Sequence, residues 1–160
     1  MATKAQVNIE YLKETNGSDL EVEYWPEAAS QSFKKGQLVY LASGKVTACA
    51  SDAVVIWGVA TEDASGTTDT LIGVLPLTVN SILSACVYNA TAASAITAVA
   101  LQGLKQPLVV ASNKCYVDNT DQTTPCFVVY KIDPRDAVGD IYGRYYVKMI
   151  ATTLQSIVGA

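Results

Sequence analysis

Apolar and polar residues alternate along much of this chain. Val7, Ile9 and Tyr11 alternate with Asn8 and Glu10, and Leu20, Val22 and Tyr24 alternate with Glu21 and Glu23. A period of two puts one set of side chains on a covered face and the other in solvent, so it predicts half-buried strands. Between the two runs, Glu14 to Asp19 is a turn cluster containing Asn16-Gly17, a pair that accepts positive φ cheaply. Trp25-Pro26 closes this region, because proline cannot donate to a β-ladder. Residues 1–25 are therefore expected to form a loose hairpin or an extended N-terminal arm, ahead of a domain spanning residues 26–160.

From Phe33 the runs lengthen. Leu38–Ala42 and Val46–Ala50 flank the Ser43-Gly44-Lys45 turn, and Val54–Ala60 is apolar on both faces, as a central covered strand would be. Further strands are predicted at Thr70–Leu75, Ile82–Tyr88, Pro107–Ala111, Lys114–Val117, Cys126–Ile132 and Arg144–Ile150. The alanine-rich stretch before Gly103 predicts one short helix over Ser94–Leu101, with Ser94 as its cap. Many short strands separated by turns, with a single helix, predict an all-β fold: a compact β-barrel or sandwich with one short helix and the arm.

Composition narrows the chemistry. The chain has 160 residues, about one domain's worth, and half of them are apolar. Only 16% are charged, against a typical value of about 25%, so some surface is expected to be covered by other chains. The net charge is −4 with no basic run, which argues against nucleic-acid binding. No apolar run reaches the ~20 residues of a membrane span, and no signal-peptide pattern opens the chain, so synthesis in a cytoplasm is expected. Histidine is absent, which removes Ser-His and Cys-His nucleophile pairs and the commonest general base. Cys49, Cys86, Cys115 and Cys126 are widely spaced without a C-x-x-C pair, so they read as small buried hydrophobes, reduced in the cell.

Two acidic clusters are the remaining candidates for chemistry. Asp133, Asp136 and Asp140 lie close together, but Asp-Pro starts turns and the spacing fits no EF-hand. Asp118-Asn119-Thr120-Asp121 reads as a polar hairpin loop. Phosphate-binding glycine loops and a nucleophile elbow are missing. No catalytic, cofactor or metal residue is predicted, and the protein is not expected to be an enzyme. Tyrosines crowd the last third, and Tyr142, Tyr145 and Tyr146 are candidates for a subunit interface. Adjacent in a strand, Tyr145 and Tyr146 must face opposite sides.

Two stretches together carry a resemblance. Phe33–Leu41, Gly44–Thr47 and Trp57–Ala60 form the first; Gly103-Leu104, Leu108–Val110, Cys115–Asp118, Phe127–Val129, Asp133-Pro134, Gly139-Asp140 and Gly143-Arg144 form the second. Over Phe33 to Ile150 the chain resembles the capsid decoration proteins of tailed bacteriophages. The resemblance implies a β-tulip-like or barrel domain on the outside of an icosahedral head, with the major capsid protein as partner and self-association into homotrimers. It further implies that the arm reaches along the shell, making Val7, Ile9, Tyr11, Leu20, Val22, Tyr24 and Trp25 the candidate capsid contacts. Alternative classes are a tail-tube or fibre subunit, which would form rings with a shared sheet, and a carbohydrate-binding module using exposed tyrosines.

Overall fold

The computed structural model describes residues 1–159 and contains two β-sheets. The strands are β1 (Glu10–Glu14), β2 (Glu23–Pro26), β3 (Leu38–Ala42), β4 (Lys45–Ala48), β5 (Gly58–Ala60) and β6 (Leu71–Pro76). They continue with β7 (Ser81–Tyr88), β8 (Lys105–Gln106), β9 (Leu108–Ala111), β10 (Lys114–Asp118), β11 (Phe127–Ile132) and β12 (Arg144–Met149), and a one-turn helix α1 (Gln155–Val158) follows. The fold is all-β with one short α-helix, as the alternation predicts.

The smaller sheet runs β2-β6-β5-β3-β4 and curls until its ends meet. The Ala28 amide donates to the Val46 carbonyl at 3.0 Å, and Glu27 bridges Val46 in parallel, so the sheet is a nearly closed barrel. Its interior holds Phe33, Val39, Leu41, Val46, Ala60, Ile72 and Val74, with Trp25 and Trp57 packed edge to face at 5.6 Å against them. Alternation sends the neighbouring residues outward. Leu38 and Val59 leave the barrel wall to join a second core with Leu83, Val87, Val117, Phe127, Val129, Tyr145 and Val147 of the larger sheet. Of the central, covered strand expected over Val54–Ala60 only Gly58–Ala60 forms, as β5, because Ile56 turns to bridge Leu154 instead.

The larger sheet runs β8-β11-β12-β7-β10-β9. At its centre, β7 pairs with β12 along one edge; its other edge takes β1 antiparallel and then β10 in parallel. The stretch expected to be an N-terminal arm is thus extended, but much of it lies on the body. Ile9 is buried in the inter-sheet core. Asn8 donates to the carbonyls of Lys35 and Asn113 and accepts from the Cys115 amide at 2.9 Å. Where this crossing occurs only glycine fits: Gly36 has φ +89°, and a Cβ there would meet the Ile9 carbonyl oxygen at 2.8 Å. β1 and β2 make no hairpin with each other, because each finds its partner in a different sheet.

The helix expected at Ser94–Leu101 does not form. Two single 3-10 turns, Ala92–Ser94 and Val99–Leu101, stand on either side of an extended stretch. There the Thr97 hydroxyl donates to the Ala137 carbonyl, the Thr97 carbonyl accepts from Gly139, and Ile96 bridges Ile141. A segment this short gains little from helicity, so tertiary pairing with the Ala137–Ile141 turn prevails. The α-helix lies instead at the C-terminus, where Gln155 completes the barrel. Its side-chain amide donates to the Leu41 carbonyl at 2.7 Å and accepts from the Leu41 amide at 2.8 Å, replacing a strand partner that β3 lacks there.

Two expectations follow. Gln155→Ala leaves both Leu41 backbone groups buried and unpaired, and should lower stability by about 2–3 kcal/mol in a urea titration monitored by tryptophan fluorescence. All four cysteines are buried and free, and burial pushes the Cys115 thiol up to about 12 and Cys49 and Cys126 upward as well. Mass spectrometry after iodoacetamide treatment should show no labelling of Cys49, Cys115 or Cys126 in the native protein and full labelling in denaturant.

Candidate functional site

The acidic cluster is the first candidate, and its carboxylates are spoken for. Asp133 is fully buried and receives Ser84 Oγ at 2.8 Å and two donors of the Arg135 guanidinium, Nε at 2.9 Å and Nη2 at 2.6 Å. Asp136 takes a fork from Arg144, with Nε and Nη2 both at 2.8 Å. Asp140 accepts the amides of Ala2 and Ala137 at 2.9 Å each, and Lys4 Nζ sits 3.4 Å from Asp136 and 3.2 Å from Asp140. The cluster fastens the first residues to the turn before β12. It is a structural turn with its charges paired, and Arg144 is committed to Asp136 rather than free to hold an anion.

Electrostatics follow from those partners. Burial alone would raise the Asp133 carboxyl, but the Arg135 side chain and amide and the Ser84 hydroxyl outweigh it and hold it down at about 2. Asp140 is held at about 2, chiefly by the Ala137 and Ala2 amides and then by Lys4. For Asp136, burial is likewise overcome by Arg144, and its carboxyl is lowered. Among the described residues, no group of three or more His, Cys, Asp or Glu side chains is placed to hold a metal ion.

The second candidate is a surface. Tyr24 of β2 pairs with Gly73 of β6, and Pro26 pairs with Leu71. Cross-strand partners share a face, so Val22, Tyr24 and Leu71 project together on the outside of the barrel. All three are exposed, Tyr24 by 64% and Leu71 by 61%. Gly73 makes the arrangement possible: a Cβ there would collide with Thr61 Oγ1 and stand 3.1 Å from Val22 Cγ1, and the Tyr24 ring lies just above it. Two residues further along the same face of β6, Leu75 lines a groove of about 490 Å³ with Ile9, Tyr11 and Val59, where the two sheets part. Asp19, Glu21 and Glu23 are exposed and alternate in sequence with the strip residues, and the exposed Glu62 accepts the Gly73 amide at 2.9 Å.

The residues expected to meet a partner thus divide. Val22 and Tyr24 lie in the strip, and Tyr11 borders the groove. Val7 is exposed and Leu20 half-buried, while Ile9 belongs to the inter-sheet core and Trp25 packs on Trp57 inside the barrel. Of the tyrosines, Tyr145 is wholly buried, its hydroxyl donating to the Ala98 carbonyl and accepting from the Ala98 amide, so it serves the core and offers nothing to an interface. Tyr146 points to the opposite face and is half-buried, and Tyr142, also half-buried, occupies a left-handed turn with φ +56°. Leu71 and Leu75 complete the strip and groove but escape sequence reading, because only the register of β2 on β6 places them beside Tyr24.

A second, smaller cavity of about 380 Å³ lies between Tyr40 and the Ala48–Val55 loop. Asp52 is the one ionisable group there besides Tyr40 and Cys49, and no convergent set of polar side chains faces it. The molecule is therefore an all-β protein, a small barrel seated on a larger sheet, with an apolar surface strip as its candidate site. No family model, curated protein or solved structure matches the chain.

The acidic cluster generates a pH dependence. Asp133 and Asp140 titrate below the unfolded carboxylate value of about 3.9, so their stabilising effect is complete above it and is lost as pH falls toward about 2. Acid unfolding should steepen between about pH 4 and pH 2 when followed by circular dichroism. Asp133→Asn should lower neutral-pH stability and flatten that limb, because the variant has no proton to take up there.

Proposed function

We propose that this is a virion structural protein, a decoration protein that binds the outside of an icosahedral bacteriophage head. It bridges major capsid protein subunits, acts as a homotrimer, and performs no bond-making chemistry of its own. The observation that carries the reading is the strip of Val22, Tyr24 and Leu71, apolar, exposed and continuous with a groove at the mouth of the two sheets. Contiguous apolar surface of this kind marks places that other proteins cover. The resemblance of Phe33–Ile150 to head decoration proteins supports a capsid as that partner, and the low charge fraction suits a chain that functions among other chains.

The structure suits the physical task. A shell filled with DNA fails at the seams between its subunits, and a protein that binds the assembled seam better than the separated subunits stabilises the shell by mass action. Each contact need contribute only a few kcal/mol, because many copies act together. Strand β2 stands at the end of its sheet order, and Pro26 at its close is the residue an edge strand tolerates. A segment of a shell subunit laid across Val22 and Tyr24 would reach the groove beside Leu75 and Tyr11. Because residues 8–14 are locked into the body, this surface is presented rigidly and little ordering entropy opposes binding.

The test is co-sedimentation of the purified protein with expanded, empty phage heads. Wild-type protein should saturate the heads, while Tyr24→Glu and Leu71→Glu should each weaken binding by about 30-fold, as expected for a central anchor worth about 2 kcal/mol. Failure of the wild type to bind heads overturns the function. Binding by both variants at wild-type strength overturns the surface.

A further inference from the structure

The register of the larger sheet gathers lysines that are scattered in sequence. Lys105 pairs with Val128, Val128 with Lys148, Lys148 with Ile82, and Ile82 with Lys13, so three lysines stand in one row across β8, β11, β12, β7 and β1. At about 4.8 Å per strand they are set roughly 10 Å apart. In the next row Lys131 pairs with Tyr146, and a bulge at Tyr130 brings that ring to the same face. Alternation fixes which face this is: Tyr145, Val147 and Met149 of β12 point into the core, so Tyr146 and Lys148 point out.

The tyrosines hold the ammonium groups in place. Lys131 Nζ lies 5.2 Å from the Tyr146 ring centre and 5.8 Å from that of Tyr130, and Lys148 Nζ lies 4.9 Å from Tyr130. A cleft of about 320 Å³ opens between Lys13 and Lys131 above Ile82. The acidic groups nearby are already engaged. Glu14 accepts the hydroxyls of Ser81 at 2.5 Å and Thr78 at 2.8 Å, and Glu10 faces Arg135 at 3.4 Å. Among the described residues none of Lys13, Lys105, Lys131 and Lys148 has an acidic partner. In a chain of net charge −4, this face is a concentrated patch of the minority sign.

We infer that this face receives the acidic Asp19–Glu23 segment of a second copy of the chain, in a head-to-tail contact. Charge complementarity carries the choice of occupant. Asp19, Glu21 and Glu23 are exposed and take part in no ion pair among the described residues, though the Glu23 carboxylate accepts the Trp25 indole N–H at 3.0 Å. Two residues apart, they would repeat every ~6.6 Å along one side when the segment is drawn out as a strand against the neighbour, within reach of long lysine side chains set at the wider spacing. Val22 and Tyr24 alternate with them and point the other way, so the segment can meet a neighbouring copy with its carboxylates and leave the apolar strip to the shell. Nucleic acid fits less well. The remainder of the surface repels phosphates, and the faces of Tyr130 and Tyr146 are occupied by ammonium groups rather than open to bases.

Two different patches in contact make a heterologous interface, which closes into a ring when the rotation allows, as a trimer requires. The inference rests on reading the protein as an assembly subunit, but its test needs no shell, so the two readings fail separately. Sedimentation equilibrium of the full chain at low salt should show concentration-dependent association that weakens by about tenfold or more on raising NaCl from ~50 to ~500 mM. Lys131→Glu with Lys148→Glu, and separately Glu21→Lys with Glu23→Lys, should each weaken association at least about tenfold. All four substitutions in one chain should restore it, which a merely structural effect of either pair would not do. Glu21, Glu23 and Lys131 are exposed and Lys148 half-buried, and unchanged thermal melting confirms that each variant folds. A wild type that stays monomeric at low salt, an association indifferent to either pair, or a swapped chain that fails to reassociate overturns the proposal. So does tight binding of a single-stranded oligonucleotide that the lysine variant abolishes, which would make nucleic acid the occupant.

Discussion

The structure depends on strand β7. All of Ser81–Val87 is buried, and the strand must satisfy its backbone on both edges without water. One edge is filled by β12 alone; the other is divided between β1 and β10, antiparallel and then parallel. That division makes the N-terminal segment a necessary part of the sheet. Without β1, the amides and carbonyls near Ser81–Ser84 would lose their partners, and the inter-sheet core would lose Ile9. The charges around Asp133, Asp136 and Asp140 serve the same end, since Ala2, Lys4 and Glu10 are the N-terminal groups they hold.

The barrel is built on a complementary arrangement. Five short strands do not fully close, and the gaps are filled by side chains acting as backbone. Gln155 pairs with both polar groups of Leu41, and the buried carboxylate of Glu27 accepts the Ser65 and Gly66 amides to fix the loop before β6. Both devices join residues far apart in sequence, so the barrel, the C-terminal helix and the Ser65–Asp69 loop are ordered together. The strip and groove then stand on a stiff frame. A preorganised surface spends little free energy on ordering when a partner docks on it.

The two surfaces differ in origin. The strip is packed as it is because Gly73 leaves room for Thr61 and Val22 to approach β6, with the Tyr24 ring in contact beside them. The basic face exists because strand register aligns lysines from four separate strands, and because the nearby glutamates are occupied by hydroxyls or by arginine. An apolar surface and a charged one on the same rigid body can meet two kinds of neighbour at once, which is the requirement for bridging.

Strand positions were legible because alternation is local. Leu38–Ala42 falls where its pattern puts it, β7 and β12 lie within a residue of expectation, and the opposed fates of Tyr145 and Tyr146 follow from adjacency alone. Val54–Ala60 was legible only in part: Gly58–Ala60 is strand, but Ile56 instead bridges Leu154 in a parallel contact from the chain's end. Period two says which side chains share a face but not which strand lies alongside. Pairing is a long-range choice, fixed by what the whole core can bury. For that reason the amino-acid sequence determined an all-β chain and its inward and outward residues. Only the tertiary structure decided that Glu10–Glu14 joins a sheet, that the alanine-rich stretch is two 3-10 turns about an extended link, and that Leu71 stands beside Tyr24 and Lys13 in line with Lys148.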